Sequence, residues 1–211
     1  MSDVLHLSLV PPHGWREIQL DPKNRERQIR QTLEPLRYLL ADWQTIYPSL
    51  RRYLVNSYEQ SWQAGIRYAI TTVQEPDDPA QIFATFSVSV LPPASPTGEP
   101  EDELDSIVCN LTQERDEQQE DGSMTLSAVR TNNLGAGVQA ASVEHMRNDN
   151  NEILGSMAML RTFIPYRNRV ILTTGMTPQL DISDVLFELF AHITETVQVE
   201  VLSEEGNDGQ S

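Results

Sequence analysis

Cysteine is all but missing from this 211-residue chain: Cys109 is the only one. One cysteine closes no internal bridge, so a packed core must hold the fold, and a chain of this length can bury one. The acidic neighbours Glu101, Asp102, Glu103 and Asp105 disfavour a thiolate, so Cys109 reads as a small apolar residue on a helix. Lysine is equally scarce, with Lys23 alone. Lys plus Arg total 15 against 31 Asp plus Glu, a formal net charge of −16. That deficit of positive charge excludes a phosphate-binding surface of the nucleic-acid type. Aromatic residues make up only 7 %, and glycine is too sparse for a collagen-like repeat. No apolar run approaches the ~18 residues of a membrane helix. The opening MSDVLHLSLVPPHGW has no Lys or Arg before Arg16, and His6, Ser8, Pro11 and Pro12 break its apolar stretch. It lacks the pattern of a secretory signal, and the chain is expected to be cytoplasmic. In that compartment the acceptor-like triplet Asn110-Leu111-Thr112 carries no meaning.

Catalytic and cofactor motifs are missing as well. There is no G-x-S-x-G elbow and no phosphate loop ending in Gly-Lys-Ser/Thr. Gly135-Ala136-Gly137 lacks the third glycine of a dinucleotide fingerprint and falls in an expected hairpin. His6, His13, His145 and His192 form no pair at metal-ligand spacing. Glu144 and His145 are neighbours on an expected strand and so face opposite sides. Glu188 and His192 stand four apart on an expected helix, which suits a surface hydrogen bond or ion pair. The acids at 101–105 lack the spacing and central glycine of a calcium loop. They read as a solvated loop, with weak cation binding as the alternative. No cofactor, metal or enzymatic reaction is expected.

What the sequence does carry is uneven charge. Residues 1–70 hold nine basic and seven acidic side chains, whereas 71–211 hold six and 24. The segment 74–121 has 13 acids against Arg115 alone. Such a segment is either a solvated face that keeps the chain soluble or an interaction surface. In the basic half, Arg25, Arg27, Arg30, Arg37, Arg51 and Arg52 lie on expected helices and are the candidate partner-binding residues. Two uses are open to them: neutralising the acids of 99–121 within the chain, or meeting an acidic partner protein.

Apolar periodicity sets the expected elements. Trp15–Leu20 alternates as a half-buried strand. Asp21-Pro22 suits a helix cap and first position. Ile29, Leu33, Leu36, Leu40, Trp43, Tyr47, Leu50 and Leu54 then repeat at spacings of four and three. This stripe predicts helix over 22–64, packed on a sheet and broken or kinked near Pro35 and Pro48. Gly65 stops it. Ile66–Val73 and Ile82–Leu91 read as a strand pair around a turn at 75–79. Four prolines make 92–103 a loop, and Leu104, Ile107, Val108 and Leu111 mark a short helix. The run 113–122 reads as a mobile connection. Four strands follow, at 123–130, 138–146, 152–164 and 169–176, around turns rich in Asn and Gly. The last helix is expected over 181–199, capped by Asp181 or Ser183, with Ile182, Val185, Leu186, Leu189, Ile193 and Val197 buried. The whole is α+β: an antiparallel sheet of about six strands flanked by helices, in one domain over 14–199. Residues 1–13 read as a lead-in and 200–211 as an acidic tail, both flexible.

On this order sit specific residues: Gly14-Trp15 opening a strand, Ile164-Pro165-Tyr166-Arg167 at a turn, Leu172-Thr173-Thr174-Gly175 at a strand end, and Leu189-Phe190-Ala191-His192-Ile193 on the last helix. With them the chain resembles the PsbP-like α/β/α sandwich superfamily, and in particular uncharacterised actinobacterial members. The resemblance spans most of 14–197. It implies the scaffold, a protein-binding rather than catalytic role, and an association with type VII secretion loci. The function expected is therefore a non-enzymatic cytoplasmic accessory module for an unidentified protein partner. Two alternatives stay open. One is a small-molecule binder or enzyme with a cleft between helices and sheet, lined by Tyr38, Trp43, Tyr53 and Trp62. The other is a structural homo-oligomer joined through Ile82–Leu91 or the aromatic stripe.

Overall fold

The computed structural model describes residues 4–38, 42–72, 81–117, 124–148 and 150–202. Leu40, the turn at 75–79, residues 118–123 and the tail beyond 202 lie outside the described residues. The elements run β1 (Val4–Ser8), β2 (Trp15–Glu17), α1 (Arg25–Leu33), α2 (Trp43–Gln63), β3 (Ile66–Thr72), β4 (Thr85–Leu91), α3 (Pro100–Glu117), β5 (Thr125–Thr131), β6 (Gly135–Arg147), β7 (Ile153–Tyr166), β8 (Arg169–Thr177), α4 (Ser183–Glu195) and β9 (Gln198–Leu202). Seven strands form one antiparallel sheet in the order β2-β3-β4-β8-β7-β6-β5, and β1 pairs with β9 in a second, two-stranded sheet. The α+β class with helices flanking an antiparallel sheet is thus observed.

Side chains alternate across the large sheet and divide its packing into two layers. Phe86 and Val88 of β4, Leu160 and Ile164 of β7 and Ile171 of β8 pack with Leu186, Phe190 and Ile193 of α4. On the opposite side, Leu91, Val138, Ala140, Phe163 and Val170 pack with Ile107 and Leu111 of α3. Gly65 adopts φ +92° as α2 turns into β3, the left-handed conformation that glycine takes without strain.

The helical region departs from its reading in instructive ways. Asp21 does not cap α1; its carboxylate accepts the Lys23 N–H at 2.8 Å, one turn earlier, and the helix starts at Arg25. Pro35 ends α1 as expected, opening a short 3-10 helix over Glu34–Tyr38. Pro48, by contrast, lies inside α2, which runs through it. It sits near the N-terminus, where it removes one backbone hydrogen bond from a 21-residue helix. The long stripe is not core throughout. Ile29 and Leu33 are buried, but α2 has no buried residue, and Trp43, Tyr47, Leu50 and Leu54 are only half-buried.

The two ends of the chain also differ from expectation. Residues 4–8, read as a lead-in, are a strand, and 198–202, read as helix and tail, are its partner. Val197, Val199 and Val201 alternate with polar residues, a pattern that fits a strand better than a helix. Two strands 190 residues apart leave no local signal of pairing. Helix α4 has neither expected cap: the Ser183 hydroxyl donates to the Leu180 carbonyl at 2.9 Å. Val185 is 67 % exposed, and Phe190, absent from the expected face, is fully buried. In the meander, the turn at Pro165–Asn168 shrinks to Arg167-Asn168, with Arg167 at φ +55°. Helix α3 starts earlier and runs further than expected, from Pro100 through Glu117.

Candidate functional site

The six candidate arginines lie on α1, the 3-10 helix and α2, and the fold divides them into two groups. Arg25 is 8 % exposed; it pairs with Glu59 across the α1–α2 contact and reaches the Leu20 carbonyl at 3.4 Å. Arg51 pairs with Glu26, fastening the same two helices. These two hold α1 against α2. Arg27 is exposed and, among the described residues, reaches only Asn24 Oδ1, at 3.4 Å. Arg30, Arg37 and Arg52 are exposed and have no ion-pair or hydrogen-bond partner among the described residues. Beside them, Tyr38 and Tyr53 are 83 % and 69 % exposed. Exposed tyrosine with unpaired arginine is the composition enriched at protein interfaces.

Among the described residues no candidate arginine pairs with an acid of 99–114. Asp102, Glu103 and Glu114 are engaged locally. Glu101, Asp102 and Glu103 occupy the first turn of α3, where negative charge is favoured. Asp102 accepts from the Thr97 hydroxyl at 2.7 Å. Glu103 is fully buried and accepts the Ala94 and Ser95 N–H groups at 2.7 and 3.0 Å. It therefore fixes the loop before α3 rather than contributing to a cation cluster. The acid that does meet an arginine is Glu114, paired with Arg161 of β7 at 2.9 Å.

The aromatic cleft held open as an alternative does not form from its four residues. Tyr38 and Tyr53 face outward. Trp43 stacks obliquely on Tyr47 at 5.0 Å, and Trp62 is covered by the Arg67 guanidinium at 4.2 Å. Burial beside Arg169 pushes the Arg67 side chain below its ordinary range, desolvation being the larger cause. A cavity of about 350 Å³ opens elsewhere, between α3 and the sheet. Its wall includes Leu91, Phe163, Leu172, Ile107 and Leu111, with Asn110, Glu114 and Arg161 as its polar groups. Sequence reading passed over it. The available signal was Arg161, a lone charge within the apolar strand MAMLRTFI.

Two of the histidines make local hydrogen bonds. His145 Nδ1 and Ser156 Oγ share a 2.7 Å hydrogen bond across β6 and β7. His192 Nδ1 lies 2.7 Å from the Glu188 backbone carbonyl, not its carboxylate. Among the described residues, no group of three or more His, Cys, Asp or Glu side chains is placed to hold a metal ion, and no helix is long and apolar enough to cross a membrane. Cys109 is exposed on α3. The strand Ile82–Leu91, offered as a homo-oligomer interface, starts at Thr85 and lies inside the sheet, bonded to β3 and β8 on its two sides. Its backbone groups are used, so it has no free edge to offer a second copy.

No protein-family model matches the chain, and no curated protein matches its sequence. Solved structures do match in outline. The cyanobacterial PsbP of Synechocystis is 13 % identical over 93 % of this chain and 92 % of its own, with a TM-score of 0.44. The Ran-binding protein Mog1p of Saccharomyces cerevisiae is 9 % identical over 94 % and 95 %, with a TM-score of 0.45. LpqN, involved in cell envelope biogenesis in Mycobacterium tuberculosis, is 12 % identical over 93 % and 84 %, with a TM-score of 0.42.

Proposed function

We propose that this chain is a non-enzymatic protein-binding module that meets an acidic partner protein through the outward face of α1, the 3-10 helix and α2. The observation that carries the reading is the set Arg30, Arg37 and Arg52, exposed and without partners among the described residues of a chain with a net charge of −16. Ion pairs are readily available in so acidic a protein, yet the fold leaves these three unspent. Tyr38 and Tyr53 add large, stiff contact area beside them. The PsbP-like resemblance extends the proposal: the partner belongs to a secretion apparatus, and the two meet in the cytoplasm.

The test is affinity capture of the tagged chain from its native host at low and moderate salt, alongside the triple variant Arg30→Glu/Arg37→Glu/Arg52→Glu. The expected result is a stoichiometric partner that is salt-sensitive and absent from the variant. A partner retained equally by the variant overturns the assignment of the surface. No partner at either salt overturns the reading itself.

A further inference from the structure

Among the described residues no cluster of imidazole, thiol and carboxylate groups is placed to hold a metal ion, but thioethers are gathered on the sheet. Four of the six methionines, Met146, Met157, Met159 and Met176, stand on the adjacent strands β6, β7 and β8. Register puts them on one face. Met159 lies directly opposite Met176 on one side and Ser142 on the other. Met157 lies opposite Glu144, and Met146 opposite Gly155. Residues 140, 142, 144 and 146 alternate onto the side on which Ala140 packs with α3.

Met157, Met159 and Met176 are half-buried and belong to neither core cluster. Directly opposed Cβ atoms on antiparallel strands stand about 5 Å apart, and diagonal ones, as for Met157 and Met176, about 7–8 Å. Unbranched, freely rotating side chains at that spacing can bring their sulfurs to one point. Met146 reaches over β7 as well: a Cβ at Gly155 would stand 3.1 Å from its terminal methyl.

Half-buried methionine also serves as adaptable apolar cover. What decides here is the charge beside it. Glu144 is half-buried opposite Met157 and has no ion-pair or hydrogen-bond partner among the described residues. A partly desolvated carboxylate without a partner favours a cation next to it, and so does the field of a chain at −16. The donor set selects which cation. His145 alternates to the other face, where it bonds Ser156, and Cys109 is exposed on α3. Zinc therefore lacks its imidazole and thiolate ligands on this face. One carboxylate falls short of the oxygen shell that calcium or magnesium takes. Neutral, soft thioethers suit copper(I).

We infer that Met157, Met159 and Met176 form a binding site for one copper(I) ion, with Glu144 balancing its charge and Met146 as a fourth thioether within reach.

The probe is silver(I) nitrate, a redox-stable soft cation, titrated in chloride-free buffer into the full chain carrying Cys109→Ser. That substitution, at an exposed position, removes the competing thiol. Carbon–proton NMR of methyl-labelled methionine reads each thioether separately. The expected result is saturation near one ion per chain. The methyl signals of Met157, Met159 and Met176 move, and that of Met124, packed with Ile107 and Leu111 of α3, stays in place. Copper(I), titrated without oxygen against the chelator bicinchoninate, is expected to occupy the same site. Met159→Leu and Met176→Leu conserve volume, which packed positions tolerate. Each is expected to weaken binding by about tenfold or more, as the loss of a metal-site partner does. Three results overturn the inference: no saturable binding of silver(I), binding that leaves the three methyl signals in place, or undiminished binding to both leucine variants. Binding of silver(I) without copper(I) overturns the copper assignment, and unchanged affinity in Glu144→Gln overturns the part given to the carboxylate. Arg30→Glu/Arg37→Glu/Arg52→Glu lies on other elements and is expected to bind silver(I) unchanged, so the two proposals fail separately.

Discussion

Glu103 stands on the buried face of α3, one turn before Ile107 and two before Leu111, and both its carboxyl oxygens accept backbone N–H groups. Residues 103, 107 and 111 share a helical face, but the prolines of 92–103 point to a solvated loop there, and the buried Glu103 on α3 corrects that reading. Its role was not legible, because nothing in the sequence says that the loop at 94–95 folds back over that face. Glu103→Ala strands the buried Ser95 N–H, and a loss of about 1–3 kcal/mol in urea unfolding is expected. Glu103→Gln keeps one acceptor and loses less. Glu59 makes a second prediction at this scale. Hydrogen bonds from Arg25 and Gln63 hold its carboxyl below the ordinary range. A lowered value in the folded state means stability that is present above the unfolded-state pKa and lost as pH falls through the folded one. The urea midpoints of the native chain and Glu59→Gln, measured from pH 7 to pH 3, are therefore expected to converge towards acid. A constant gap across that range would remove the ion pair as the cause. Arg25 also shows a limit of sequence reading: it was grouped with the exposed arginines because its partner lies 34 positions away.

At the scale of elements, the four-strand meander was readable because its period is two and its turns hold Asn and Gly at positions that need them. Asn151 does adopt positive φ, at +64°. Helix α4 was harder. Its sequence VLFELFAHI is apolar on most sides, so periodicity alone did not select Phe190 as the centre of the buried stripe. The complementary signal lay on β8. Gly175 interrupts a strand of larger residues, and a lone glycine there marks a close approach. A Cβ at Gly175 would stand 2.2 Å from the ring of Phe190. That ring also meets Trp15 edge-on at 6.5 Å and Phe86 at 6.2 Å, so it has no room to withdraw. Gly175→Ala is expected to cost about 1–3 kcal/mol or more by overpacking. Phe190→Leu gives the ring's space back. In a double-mutant cycle by urea unfolding, the alanine is then expected to cost clearly less in the leucine background. Additive costs would mean that the glycine serves the strand backbone instead.

For the whole molecule, the charge asymmetry is what the sequence conveyed best and what the structure resolves least evenly. Ion pairs within the α1–α2 unit consume Arg25 and Arg51, whereas Arg30, Arg37 and Arg52 remain outward. Acids of the first turns of α3 are exposed at Glu101, Asp102 and Asp105. A chain with exposed, unpaired arginines on α1, the 3-10 helix and α2 and exposed acids on α3 has two places to send those arginines: another protein, or the acids of a second copy. The second arrangement is head-to-tail, and self-repulsion at a net charge of −16 opposes it. The interior position of β4 removes that strand as a route to a dimer. Sedimentation velocity at tens of micromolar is therefore expected to give the monomer mass of 23.9 kDa at low and at moderate salt. The triple glutamate variant should sediment in the same way, because the arginines make no contact between copies. A larger species that dissolves as salt rises, and that the variant fails to form, would identify the acidic partner as a second copy of this chain. A larger species indifferent to salt would move the interface to the half-buried stripe of Trp43, Tyr47, Leu50 and Leu54, where apolar contact rather than charge would hold the copies together.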